Sequence, residues 1–346
     1  MTRIHHKKGV IVKKSLIILS LITCSFTTQA NNLIKNDLVH EQKNCFQGPF
    51  ENYDSWINFF KKLKQRKIKE PTLLAKTIES FDKRFGEIKF NEYKTSLSCR
   101  NFKYTVDGNI VKGFIIKPKQ TEESLPVLVY NRGGNGNYGS MVFGNLFNSL
   151  FPIANRGFII IGSQYRGSLT SSDTLDEFGG KDVHDVIELF KFIPDIVGAD
   201  PTRIGMFGGS RGGMQTFLTL KEIDSVKAVV TSSGIYDLPL TLKTQPKFSQ
   251  MFKHRIPNFD SNKAVELEKR SVTKWVDKIP KKVPILIIHG EKDQRVSVEN
   301  AKNLVTEFSK NKIPHKLIVY SNDDHYLSKN SANAIEATVD WFRKHL

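Results

Sequence analysis

The hydrophobic positions change period along the chain. Trp56, Phe59, Phe60 and Leu63 fall at i, i+3, i+4 and i+7 behind Asp54, one face of a helix. Pro71 opens a second helix, with Leu74, Ile78 and Phe81 on one side. From about residue 101 the apolar runs shorten to strand length. Segments 101–106 and 110–118 flank Asp107-Gly108, a hairpin signal, and 126–131 is an apolar strand ending in a Gly-rich turn. A helical pattern covers 140–155, and a buried-type strand covers 157–163. A helix follows at 182–192, with Val183, Val186, Ile187 and Phe190 at helical spacing. Strands are then expected near 204–207, 226–232, 284–289 and 316–321. Helices follow, and Ile335, Val339 and Phe342 mark the last.

Two opening strands followed by alternating strand and helix predict an α/β domain over 99–346, its mostly parallel sheet covered on both faces. Residues 31–98 form a short helical appendage that packs on it and is a candidate wall for its site. The stretch 236–280 breaks the alternation: it is polar, basic and carries Pro239, Pro246 and Pro257. An insertion there lies over the C-terminal edge of the sheet, where such folds bind ligands, and reads as a cap. A peripheral excursion is the alternative.

Composition is that of an ordinary globular chain, long enough to bury a large core. The formal charge is +17. Five of the cations (Arg3, Lys7, Lys8, Lys13, Lys14) lie in residues 1–30 with no acid beside them, so +12 remains without them. Lys13-Lys14, the apolar stretch 15–26 and Thr28-Gln29-Ala30 read as a secretory signal, too short to span a bilayer. Export to the periplasm or medium is therefore expected; lipid attachment at Cys24 fits less well, because Thr23 precedes it. Cleavage leaves two cysteines, Cys45 and Cys99, a candidate disulfide in an oxidising compartment. No Cys/His spacing suggests a metal, and no motif argues for nucleic acid. The basic run 61–67 reads as a solvated helix end.

The chemistry gathers around Gly208-Gly209-Ser210-Arg211-Gly212, the one G-x-S-x-G of the chain. A short strand turning into a helix through small residues is a nucleophile elbow, with the serine hydroxyl lifted clear of the sheet. The glycines at 208 and 212 are needed because side chains there would collide with neighbouring backbone. The N–H of Arg211 would face a developing oxyanion. A serine nucleophile needs a base and a carboxylate to orient it. Asp293 follows the strand ending in His289, and His325 follows the next strand, so all three fall on one rim. Asp324 competes with Asp293 as orienter from a poorer position. His289 reads as a packed structural histidine, His184 as solvated, and His254 as a candidate substrate contact. His40, His315 and His345 have no partner signal. The turn Asn131-Arg132-Gly133-Gly134 would supply the second oxyanion donor from Gly133 or Gly134.

These residues carry a resemblance. Asp200-Pro201-Thr202-Arg203-Ile204, the Gly-Gly-Ser210-x-Gly-Gly elbow, His289-Gly290-x-x-Asp293-x-x-Val296 and His325 are similar to the catalytic domain of the prolyl oligopeptidase (serine peptidase S9) family. Tyr165-Arg166-Gly167-Ser168 and Gly179-Gly180-x-Asp182-x-x-Asp185 also fit. The resemblance covers about 100–346. It implies an α/β-hydrolase fold with Ser210 as nucleophile, Asp293 as orienter, His325 as base and the Arg211 N–H in the oxyanion hole. Two features depart from it. Residues 31–98 are too few for the family's propeller. The tyrosine that often donates to the oxyanion has no clear counterpart, Arg132 standing near its place. The expected protein is an exported serine hydrolase that needs no cofactor and cleaves a small peptide. A short-acyl carboxylesterase is the alternative, and a non-catalytic binding module a further one.

Overall fold

The computed structural model describes residues 1–2, 32–120, 123–169 and 173–346. The expected leader over 1–30, Cys24 included, lies outside the described residues apart from its first two. No helix among the described residues is long and apolar enough to cross a membrane.

One sheet organises the chain. Its strands are β1 (Val39–Asn44), β2 (Leu97–Val106), β3 (Asn109–Pro118), β4 (Leu125–Asn131), β5 (Ile159–Ser163), β6 (Ala199–Gly209), β7 (Val226–Ser232), β8 (Ile285–Gly290) and β9 (His315–Tyr320). Their spatial order is β1-β2-β3-β5-β4-β6-β7-β8-β9. The three pairings on the β1 side are antiparallel, and those from β5 through β9 are parallel.

Both faces are buried, which is why the central strands are apolar at successive positions. The period of two sorts them. Val127, Ile159, Met206, Val229 and Ile287 face one core, and Leu128, Ile160, Phe207, Val230 and Ile288 face the other. The first core is covered by α6 (Asp182–Phe192), α7 (Arg211–Leu220) and α11 (Glu299–Lys310). The second is covered by α4 (Phe143–Ser149), α5 (Phe151–Ala154) and α12 (Ser331–His345).

The N-terminal region carries three helices: α1 (Tyr53–Gln65), α2 (Pro71–Phe85) and α3 (Glu87–Ser96). Asn52 caps α1, its side chain accepting from the Ser55 N–H, and Glu70 does the same for α2 through Thr72 and Leu73. The predicted apolar face docks as a ring cluster: Trp56 lies 4.9 Å from Phe143 and 5.2 Å from Phe147. The region is not purely helical. β1 adds an edge strand whose mostly exposed, polar sequence Val-His-Glu-Gln-Lys-Asn gave no apolar alternation to read. Cys45, just past β1, is disulfide-bonded to buried Cys99 in β2, with Cα atoms 5.3 Å apart.

The 236–280 insertion is three short helices rather than loop: α8 (Leu238–Thr244), α9 (Phe248–Arg255) and α10 (Phe259–Lys269). The prolines that broke the pattern sit where helices tolerate them. Pro239 lies in the first turn of α8, while Pro246 and Pro257 each stand two residues before a helix.

Candidate active site

The parallel strands bring three loops to one edge. Ser210 follows β6, Asp293 follows β8 and His325 follows β9. Ser210 has φ 56° and ψ −125°, the strained backbone expected at a sharp strand-to-helix turn. Its N–H donates to the Ser232 carbonyl at 2.9 Å, and its own carbonyl accepts from Gly213 at 3.0 Å. A Cβ at residue 208 would meet the Gly212 and Asn131 carbonyl oxygens at 2.5 and 2.7 Å, and one at 212 would run into the Asn131 carbonyl. Both positions admit only glycine.

The loops holding Asp293 and His325 are fastened together. Glu291 N–H donates to Tyr320 O at 2.9 Å, and Lys292 N–H to Asp323 O at 2.8 Å. His325 Nδ1 lies 2.7 Å from Asp293 Oδ2. Asp293 Oδ1 accepts the N–H groups of Arg295 and Val296 at 2.8 and 2.9 Å. Burial alone would raise this carboxyl. The hydrogen bonds from His289 and His325 outweigh it and hold Asp293 far below the ordinary range. With Nδ1 committed to Asp293, Nε2 is the nitrogen left for a serine hydroxyl. Ser210 and His325 line the same two cavities, one of about 640 Å³ and one of about 330 Å³.

The remaining candidates sort by contact. His289 is fully buried, with Nε2 2.9 Å from Val296 O and 3.2 Å from Asp293 Oδ2. Both are acceptors, so the ring presents its proton there and braces the acid. Asp324 caps its own turn, accepting from Tyr326 N–H and the Ser328 hydroxyl. Asp323, which no local signal singles out, is buried and accepts from Asn330 and the N–H of Lys329, pinning the loop that carries His325. His254 is exposed on α9 and lines neither cavity. His184 pairs with Asp107 on the surface, Nδ1 to Oδ2 2.8 Å.

The Gly133–Gly134 turn lies over the elbow. A Cβ at 133 would sit 3.3 Å from Ser210 Cβ, and Gly134 has φ +75° with no room for a side chain beside Tyr138 O. Arg211 is the first residue of α7, directly after Ser210, where a helix leaves N–H groups without intrahelical acceptors. Arg132 does not replace the oxyanion tyrosine. Its side chain is buried and donates to Gln164 O, Gly136 O, Tyr138 O and the Ser168 hydroxyl, so it holds the turn in shape. A cation with this many carbonyl acceptors inside the fold has no reason to face the cavity.

Arg211 carries a second role, invisible locally. Its guanidinium is buried between the Tyr165 and Phe178 rings, 4.7 and 4.8 Å from their centroids. It is paired with Asp176 and Asp182 at 2.7 Å each. Asp176 also accepts the Gly136 N–H at 2.6 Å. One arginine thus ties the elbow to the oxyanion turn and to the start of α6.

The insertion faces the larger cavity through Gln245, Lys247, Phe248 and Met251. The N-terminal helices contribute no lining residue to either cavity.

A family model for the prolyl oligopeptidase family matches residues 145–346. The chain is 28% identical over 242 residues to the uncharacterized peptidase YtmA of Bacillus subtilis, covering 69% of this chain and 91% of that one. It is 26% identical over 247 residues to the acylamino-acid-releasing enzyme of Arabidopsis thaliana, covering 66% of this chain and 31% of that one. Among solved structures, an acylaminoacyl peptidase of Pyrococcus horikoshii superposes with a TM-score of 0.63 at 21% identity, over 74% of this chain and 43% of that one. A puromycin-hydrolyzing peptidase of Mycobacterium tuberculosis gives 0.58 at 22% identity, over 71% and 39%. The chain therefore spans nearly all of the first relative but well under half of the other three.

Proposed function

The chain belongs to the prolyl oligopeptidase family, whose members are serine hydrolases, and on that premise we propose that it is an exported peptidase acting through Ser210, His325 and Asp293. The observation that carries the reading is the 2.7 Å His325–Asp293 pair lining the same cavity as a serine held at positive φ.

In this mechanism a peptide carbonyl enters the larger cavity against the Gly133–Gly134 turn. Ser210 Oγ attacks the carbonyl carbon while His325 Nε2 takes the hydroxyl proton. The imidazolium forms beside a carboxylate that stays ionised. The oxyanion is met by the Arg211 N–H and by N–H groups of the glycine turn. Collapse expels the amine, which receives the proton from His325. Water, deprotonated by the same nitrogen, then hydrolyses the acyl-enzyme. Every proton in the cycle is carried by His325, so no cofactor is called for.

Export is supported by the leader-like residues 1–30 and by the Cys45–Cys99 disulfide, a bond that persists in oxidising compartments.

The test compares the purified protein with Ser210→Ala on aminoacyl and prolyl anilides and on short p-nitrophenyl esters. The peptidase reading expects anilide cleavage that falls by about a million-fold in the variant. Cleavage of esters alone would make the protein a carboxylesterase on this scaffold. Equal, background rates in both proteins would leave only a binding module.

A further inference from the structure

Ser210 and His325 stand at the meeting of two chambers, not one. The larger lies under the insertion. The smaller, of about 330 Å³, opens on the opposite face of the sheet. Its floor is the ends of three strands, through Phe207, Val230 and Ile288. Its walls are Ile153 on α5 and Ala334 on α12. Asn148, Ser149, Ser331 and Thr338 also line it, and among the described residues no carboxylate, lysine or arginine does. Packed interiors fill such space with side chains, so an uncharged chamber of this size, apolar along its floor and opening onto the two groups of a candidate catalytic pair, is available to a ligand.

A second observation points the same way. Ser233 lines this chamber, is only 2% exposed, and its hydroxyl has no hydrogen-bond partner. A buried, unpaired hydroxyl costs free energy, and a partner brought by a ligand would remove that cost. Ser233 is also held at φ 48°, in the left-handed region, by an N–H bond of 2.9 Å to Ile288 O. Strain of this kind persists where surrounding structure fixes it and gathers at functional positions.

We infer that the smaller chamber is a second substrate pocket, which takes an apolar arm on the far side of the scissile bond and meets a polar group near the base of that arm with the Ser233 hydroxyl. The inference rests on the proposed Ser210 chemistry and narrows its substrate class. Favoured substrates carry bulky groups on both sides of the cleaved bond, one arm in each chamber, and an amide unit at the start of the second arm suits Ser233.

The test uses the full protein and three fluorophosphonates, bearing two methyl arms, one methyl and one hexyl, or two hexyl arms. Reaction at Ser210 forms the Oγ–P bond and expels fluoride, while His325 takes the serine proton. Each rate is followed by intact mass. Ala334→Phe fills the smaller chamber from α12, and Ile153→Phe fills it from the opposite wall should the first variant not fold. The inference expects the filled variant to slow the two-hexyl probe by tenfold or more relative to the one-hexyl probe, whose single long arm uses the larger chamber. It also expects Ser233→Ala to slow a probe whose second arm begins with an amide more than one whose second arm is all hydrocarbon. Equal slowing of the one- and two-hexyl probes, or of the two Ser233 probes, overturns it. Failure of every probe to label Ser210 in the folded wild-type protein would instead overturn the proposed hydrolase chemistry.

Discussion

Asp293 and Asp176 are both buried carboxyls held well below the ordinary range, yet they keep different company. Asp293 faces two imidazoles, His289 and His325. Asp176 faces a guanidinium, Arg211, and the Gly136 N–H. In each case burial pushes the pKa up and the partners pull it further down, Asp176 reaching about 2. The partner decides the use. An imidazole releases and regains its proton within the range where enzymes work, so the Asp293 cluster can move protons. A guanidinium does not, so the Asp176 cluster is a permanent charge pair that fixes backbone. On the proposed mechanism, two similar acids serve chemistry in one place and architecture in the other.

The widest gap between the two clusters is kinetic. His325→Ala removes the proposed base at Ser210 and is expected to cut kcat/KM by about six orders of magnitude with little change in Tm. A loss below a hundredfold would mean that the Asp293 cluster is not the working one. Asp293→Asn should cost about four orders of magnitude, because the amide favours the wrong imidazole tautomer, again in a folded protein.

Arg211→Met should behave in the opposite way. It leaves Asp176 and Asp182 buried without a cation and is expected to destabilise the fold by about 3–5 kcal/mol, read by denaturant unfolding. Adding Asp176→Asn and Asp182→Asn to it should recover part of that loss. If Arg211→Met kept its stability and lost only activity, the division of labour drawn between the clusters would be wrong.

The pH dependence sharpens the contrast with a smaller effect. In the wild-type protein Asp293 and Asp176 bind fewer protons when folded than when unfolded. The stability they contribute is present above the ordinary carboxyl value of 3.8 and is lost as pH falls toward their folded values, about 2 for Asp176. In Arg211→Met the Asp176 carboxyl keeps the Gly136 and Phe178 N–H groups but loses its cation, so burial weighs more and its folded pKa moves up from the wild-type value. Its contribution to stability above the ordinary carboxyl value then shrinks, so the variant loses less stability on acidification than the wild-type protein does. Acid and neutral unfolding curves of the two proteins check this.

The catalytic cluster was legible because its signals are local. An elbow needs glycines at fixed offsets, and strand-end positions place Asp293 and His325 on one rim whatever lies between. Helix limits were clear where a cap or proline marks them, as at Pro71. The architectural cluster was hidden. Arg211 meets Asp176 and Asp182 across 35 and 29 residues, and nothing near Arg211 says that its side chain points inward. Arg132 stands near the place of the family's tyrosine, but its guanidinium is claimed by carbonyls of its own turn, such as Gly136 O, and by Gln164 O from across the fold. β1 was missed because an exposed edge strand buries too little to alternate. The helices of the insertion were not legible because prolines opening helices resemble prolines ending them.

The most direct test of the central claim is the mass of the protein after reaction with a small fluorophosphonate. The account predicts a single adduct, mapped to the peptide containing Ser210, absent in Ser210→Ala and formed orders of magnitude more slowly in His325→Ala. Labelling that persists unchanged in Ser210→Ala, or no adduct on folded wild-type protein, would contradict it.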